Sequence, residues 1–250
     1  MHRKKLIAGN WKMYKTPAQT AEFMAGFLPR VWEHVRDEIV ICPPFVSIAA
    51  LVEAAKGSLV GVGGQDLHWE KEGAFTGEIS AEMLVAGGCS HVIIGHSERR
   101  QFFGETDDTV NLKLKAALDR GLVPIVCVGE VLQEREAGLT GDILRRQCSV
   151  ALRGISGESA AKLVIAYEPV WAIGTGKTAT PKLAAEAHRI IRGEAANALG
   201  REIAQALRIL YGGSVKPENA TSLISEEEID GALVGGASLD PQSFEKIVKW

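Results

Sequence analysis

Eight short apolar runs punctuate the chain: LIAG (6–9), IVIC (39–42), LVGVG (59–63), HVIIG (91–95), VPIVCVG (123–129), LVIAY (163–167), RILYG (208–212) and GALVG (231–235). Each is too short for a helix and lacks alternation with polar residues, so each reads as a strand buried on both faces. Such strands belong to parallel sheets covered by helices, and the amphipathic, alanine-rich stretches between the runs carry helix signals. Thr16 before Pro17, Thr180 before Pro181 and Asp240 before Pro241 each set an N-cap residue ahead of proline at the first helical position. Thr106, Asp107 and Asp108 open another helix with acid at its positive end, and Arg120 with Gly121 closes it. Within that helix Val110, Leu114 and Ala117 with Leu118 share one face.

The intervening stretches are long enough for parallel crossovers, and 250 residues over eight strand–helix units is roughly 31 per unit. No linker or composition break divides the chain, so the expectation is one domain over residues 1–250. A doubly wound open sheet and a closed (β/α)8 barrel both fit the alternation. Eight repeats with no leftover edge strand favour the barrel.

Composition sharpens this picture in three respects. Glycine is in excess, 27 of 250 residues against an average near ~7%, which calls for tight turns or close backbone approaches. The net charge of −3 argues against non-specific nucleic-acid binding and against a basic membrane surface. No apolar run approaches the ~18 residues of a transmembrane helix, and Leu6–Ala8 is too short for a signal-peptide core, so a cytoplasmic protein is expected. Cys42, Cys89, Cys127 and Cys148 are widely spaced and read as reduced thiols with no disulfide or zinc framework.

In a barrel the chemistry sits on the loops that follow the strands. Those loops begin with Asn10–Trp11–Lys12, His96–Ser97–Glu98–Arg99, Glu130, Glu168–Pro169–Val170–Trp171, Gly212–Gly213–Ser214 and Gly235–Gly236. A carboxylate, an imidazole, an ammonium and glycine-rich turns would therefore share one face. The last two loops suit a phosphate, since glycines bring backbone N–H groups close to an anion and Ser214 adds a hydroxyl donor. GTGK (174–177) lacks the spacing of a P-loop, so nucleotide binding is not expected.

GNWKM (9–13), GHSERRQFFGETD (95–107), AYEPVWAIGTGKTAT (166–180), LYGGSVKP (210–217) and GALVGGASLDP (231–241) together resemble the triosephosphate isomerase family, in its order and across essentially the whole chain. HWEKEGAFTGEIS (68–80) resembles the family's dimer-forming loop. The resemblance implies a (β/α)8 barrel that interconverts dihydroxyacetone phosphate and glyceraldehyde 3-phosphate, a step of glycolysis and gluconeogenesis, with no cofactor and no metal. It implies Glu168 as general base, His96 as a neutral electrophile held so by a helix start, and Lys12 as electrostatic stabiliser. Asn10, Gly174, Ser214, Gly235 and Gly236 would contact substrate, and residues 169–180 would form a mobile lid. Glu98 and Cys127 match positions behind the site, although Cys127, inside an apolar strand, is equally read as core packing. Thr76 would reach into a neighbouring subunit of a homodimer. The other five histidines, His2, His34, His68, His91 and His188, are expected at the surface or an interface. Tyr14, where the family often has Asn, and Gly63–Gly64 depart from its pattern without touching these positions.

Two other classes compete. A metal-dependent phosphosugar epimerase would need His and Asp ligands at several strand ends, where only His96 qualifies among the histidines. A barrel that binds metabolites without catalysis would be expected to lack Lys12, His96 or Glu168, and all three are present.

Overall fold

The computed structural model describes residues 3–173 and 179–250. The eight apolar runs are eight parallel strands: β1 (Leu6–Asn10), β2 (Glu38–Cys42), β3 (Val60–Gly64), β4 (His91–Ile94), β5 (Val123–Val128), β6 (Val164–Tyr167), β7 (Arg208–Tyr211) and β8 (Gly231–Val234). They hydrogen-bond in sequence order, and β1 pairs with both β2 and β8, so the sheet closes on itself. The open-sheet alternative is thereby excluded. Helices fill the connections, and the four N-caps read from the sequence are formed by Thr16, Thr106, Thr180 and Asp240. Asp240 Oδ1, for example, accepts the Ser243 N–H at 2.7 Å.

Two-sided burial explains why the strands show no polar alternation. One set of side chains fills the barrel interior, including Leu6, Ala8, Val40, Ile93, Ile125, Cys127, Val164, Ala166, Leu210 and Leu233. The alternate set, including Ile7, Ile39, Ile41, Val126, Ile165 and Ile209, packs outward against helix residues such as Phe23, Phe27, Leu114 and Ile191. The interior is thus a packed plug and not a pore. Among the described residues no helix is long and apolar enough to cross a membrane.

Two of the histidines expected at the surface or an interface are instead buried within the chain. His188 is fully buried on the helix Pro181–Leu199, where Ala184, Ala185 and Ile191 share its face. Its Nδ1–H donates to the Glu228 carbonyl at 2.9 Å and its ring packs edge-on against Tyr167. Burial pushes its pKa down to about 4. His91, at the start of β4, is buried between Ser90 Oγ at 2.8 Å and Glu38 Oε1 at 3.2 Å. His2 lies outside the described residues.

Candidate active site

The inward rows of the barrel place the site. Leu6 and Ala8 point inward on β1, and the next position of that row is Asn10. On β6 the row Val164, Ala166 continues to Glu168. Leu210 and Leu233 continue to Gly212 and Gly235. These four continuing positions line a cavity of about 440 Å³ at the strands' C-terminal end, together with Lys12, His96, Gly213, Ser214 and Gly236. The volume suits a small ligand. Lys216, Ile173, Val215 and Leu233 complete much of its wall.

The loop after β1 is rigidly held. Trp11 is fully buried, and its indole N–H donates to the Ser238 carbonyl at 3.0 Å, which ties this loop to the one after β8. Lys12 adopts a left-handed backbone with φ +52°, a conformation that costs a non-glycine residue roughly 1–2 kcal/mol and needs support from its surroundings. Its N–H donates to Asn10 Oδ1 at 3.0 Å. Its carbonyl accepts from Gln65 Nε2 at 2.8 Å, and the same amide nitrogen reaches the Cys42 carbonyl at 2.9 Å. The Lys12 ammonium reaches the cavity rim, where it pairs with Glu98.

His96 caps the helix Ser97–Phe102. Its Nδ1 accepts the backbone N–H of Glu98 at 3.2 Å, so a singly protonated ring carries its proton on Nε2. That nitrogen faces Glu168 Oε1 at 2.9 Å. Glu168 Oε2 accepts the Ser97 N–H at 2.9 Å. Glu168 is 2% exposed, so it is held dry. Burial pushes its carboxyl up, but the His96 ring, the Ser97 N–H and the Lys12 charge more than offset this, and its pKa lies below the ordinary value. On the imidazole, burial opposes the charge while the Glu168 and Glu98 carboxylates favour it, and the balance raises the ring's pKa. In this pairing the imidazole is therefore less firmly neutral than a helix start alone implies.

Close packing fixes the backbone around Glu168. A Cβ on Gly212 would lie 2.9 Å from the Glu168 Cγ, and one on Gly129 would lie 1.7 Å from the Glu168 carbonyl oxygen. Glu130, fully buried beside it, accepts the Tyr167 hydroxyl at 3.1 Å and the Trp171 indole N–H at 3.0 Å, and pairs with Arg135 at 3.2 Å.

The remaining expected residues are distributed as follows. Glu98 stands at the rim against Lys12. Cys127 lies buried in the interior plug beneath Glu168, and burial raises its thiol well above the ordinary range. Thr76 is exposed and lines a separate cleft of about 380 Å³ with His68, Phe75, Arg99 and Phe103. Gly174, and with it most of the expected lid tip, lies outside the described residues. Lys216, Gln65 and Gly129 were not singled out from the sequence. The positions of Gln65 and Gly129 directly after β3 and β5 are the signal that could have marked those two.

A closed parallel barrel whose cavity gathers a dry carboxylate, an imidazole, an ammonium and glycine-rich turns defines a barrel enzyme with its chemistry on the loops after the strands. Comparison with known proteins makes the class particular. The triosephosphate isomerase family model matches residues 5–250. Triosephosphate isomerase of Solibacter usitatus is 59% identical over 248 residues, 99% of this chain and 100% of the relative. That of Moorella thermoacetica is 56% identical over 248 residues, 99% of each chain. The crystal structure of triosephosphate isomerase from Bartonella henselae superposes with a TM-score of 0.89 at 40% identity, covering 98% of this chain and 97% of that one. The chain belongs to the triosephosphate isomerase family, a family of isomerases.

Proposed function

We propose that the protein interconverts dihydroxyacetone phosphate and D-glyceraldehyde 3-phosphate through an enediol(ate), as a single barrel domain without a cofactor. The observation that carries this reading is the facing pair in the cavity: Glu168 Oε1 and His96 Nε2 at 2.9 Å, with Lys12 at the rim. A substrate carbon skeleton entering between them separates the two groups. Glu168, released from His96 and Ser97, becomes a stronger base, because the contacts that lower its pKa are broken. It removes a proton from the carbon beside the carbonyl. The C–H electron pair forms the new C=C bond, and the carbonyl electrons move onto oxygen. His96 Nε2–H donates to that oxygen and to its neighbour. Without Glu168 at Nε2, the contact that raises its pKa is gone, and burial and the Glu98 N–H keep the ring neutral. Glu168 then returns the proton to the adjacent carbon, while the proton of the neighbouring hydroxyl passes to the former carbonyl oxygen by way of His96 Nε2. That nitrogen gives up its own proton to one oxygen and takes one from the other, so the carbonyl re-forms on the neighbour.

Lys12 leaves Glu98 to stabilise the negative charge that builds up. The phosphate is held at the opposite rim by N–H groups of Gly235 and Gly236 with Ser214, completed by Gly174 when the lid closes over the site. Cys127 supports Glu168 from below. Thr76 and the exposed loop around it serve a homodimer, and the compartment is the cytoplasm. The test is a direct isomerisation assay on glyceraldehyde 3-phosphate with EDTA present and no added metal. Full activity is expected, and complete dependence on a divalent ion would sink the reading.

A further inference from the structure

Glu168 hangs from a three-residue strap at the end of β5. The Glu168 N–H donates to the Val128 carbonyl at 2.8 Å, and the Val170 N–H donates to the Glu130 carbonyl at 3.1 Å. Gly129, the middle residue of the strap, presses on the Glu168 carbonyl so closely that no side chain fits between them. The strap therefore sets where the backbone of Glu168 begins, on both sides of its side chain.

One side chain holds the centre of the strap. Gln147, buried on the helix Thr140–Ala151, accepts the Gly129 N–H at 2.7 Å through Oε1. Its Nε2 donates to the Gly129 carbonyl at 3.2 Å. Among the described residues no other side chain bonds to the Gly129 backbone. Behind this bridge lies a polar cleft of about 380 Å³, lined by Gln147, Gly129, Val170, Ser97, Arg100 and Arg146 among others. The cleft is large enough for water to compete for a freed Gly129 N–H. The helix itself is held by Ile143, Leu144, Cys148 and Ala151, so its docking does not depend on the amide.

We infer that Gln147 is a positioning residue for the reaction: by bridging the Gly129 backbone it fixes the strap, and through it the place of the Glu168 carboxylate. This rests on the reading of Glu168 as the base. A displacement of the base by an ångström costs rate and leaves substrate binding largely intact, because the phosphate is gripped at the opposite rim.

The test compares Gln147→Met, which keeps length and bulk but bridges nothing, with Gln147→Glu, which retains an acceptor for the Gly129 N–H and loses the donor. The methionine variant is expected to lose about tenfold or more in kcat, with KM and the inhibition constant of inorganic phosphate within about twofold. The glutamate variant should fall between it and wild type. Added to Glu168→Gln, Gln147→Met should cause no further loss. Near-normal turnover of Glu168→Gln would remove the base itself. An inactive Glu168→Gln beside a wild-type kcat in Gln147→Met, or a loss that simply adds to that of Glu168→Gln, would overturn the positioning role alone. If the methionine variant does not fold, the glutamate variant decides by the same kcat and KM comparison.

Discussion

At the scale of single residues, the site is governed by how near one backbone comes to another. Gly129 meets the Glu168 carbonyl where a Cβ would be 1.7 Å away, an overlap no rotamer change relieves. Gly129→Ala must push β5 and β6 apart and is expected to cost ~4 kcal/mol or more. Gly193 supplies the contrast. It lies exposed inside the helix Pro181–Leu199, and a Cβ there would meet nothing within 4 Å. Gly193→Ala should therefore stabilise by roughly 0.5–1 kcal/mol, because alanine restricts the unfolded chain and suits a helix. Urea titration of both variants checks the pair, and equal effects would contradict the packing argument. Lys12 shows the same scale at work by another means, with its left-handed backbone held by Asn10 and by Gln65 from the loop after β3.

At the scale of elements, strands and helices differed in how openly they announced themselves. The strands were legible because burial on both faces leaves short runs of apolar residues, and the caps were legible because Thr and Asp before Pro form a local signal. Asn10, His96 and Glu168 could be found because each sits at a strand's C-terminal end or within two residues of it. Gln147 could not, since it sits mid-helix and its partner is a backbone group 18 residues away; Gln65 follows β3 directly, but a lone amide carries no motif to say what it holds. His188 was misread for a related reason: only the docked helix reveals that it faces Tyr167. Its burial has a measurable consequence. The unfolded chain takes up the proton near the ordinary pKa of 6.5, the folded chain only near about 4. Between these values the unfolded state binds more protons, so stability falls as pH drops from 6.5 towards 4. At pH 5 this amounts to about 2 kcal/mol. In His188→Gln the loss of stability from pH 7 to pH 5 should be smaller by about that amount. Urea midpoints at a fixed protein concentration will show it, and an unchanged pH dependence would rule His188 out as its source.

At the scale of the whole molecule, closure of the barrel was the least legible step. The alternation of strands and helices also fits an open sheet, the count of eight units favours a barrel, and the pairing of β1 with β8 decides. The surface is a further whole-molecule property. Met13, Tyr14, Phe45, Val46, Phe75 and Phe102, all on segments after β1 to β4, are exposed, and Met13 is 93% so. Large apolar side chains concentrated on one set of loops are what a partner surface requires. On the proposed homodimer, sedimentation at micromolar concentration should give twice the chain mass. Thr76→Arg should shift the mass towards the monomer and lower activity, and a wild-type chain sedimenting as a monomer would overturn the assignment of Thr76.

The plug of side chains beneath the cavity has one more consequence, for isotopes. Leu6, Ala8, Val164, Ala166, Cys127 and their neighbours fill the barrel axis beneath Glu168 with buried side chains, so among the described residues the axis offers it no water-filled channel. On the proposed mechanism, a hydrogen in transit between substrate carbons is then shielded from bulk water along the barrel axis and meets it from the cavity side. With Glu168 as the proposed base, the share of a hydrogen label that survives one turnover becomes a clock for how long that carboxylate keeps its borrowed proton before water replaces it.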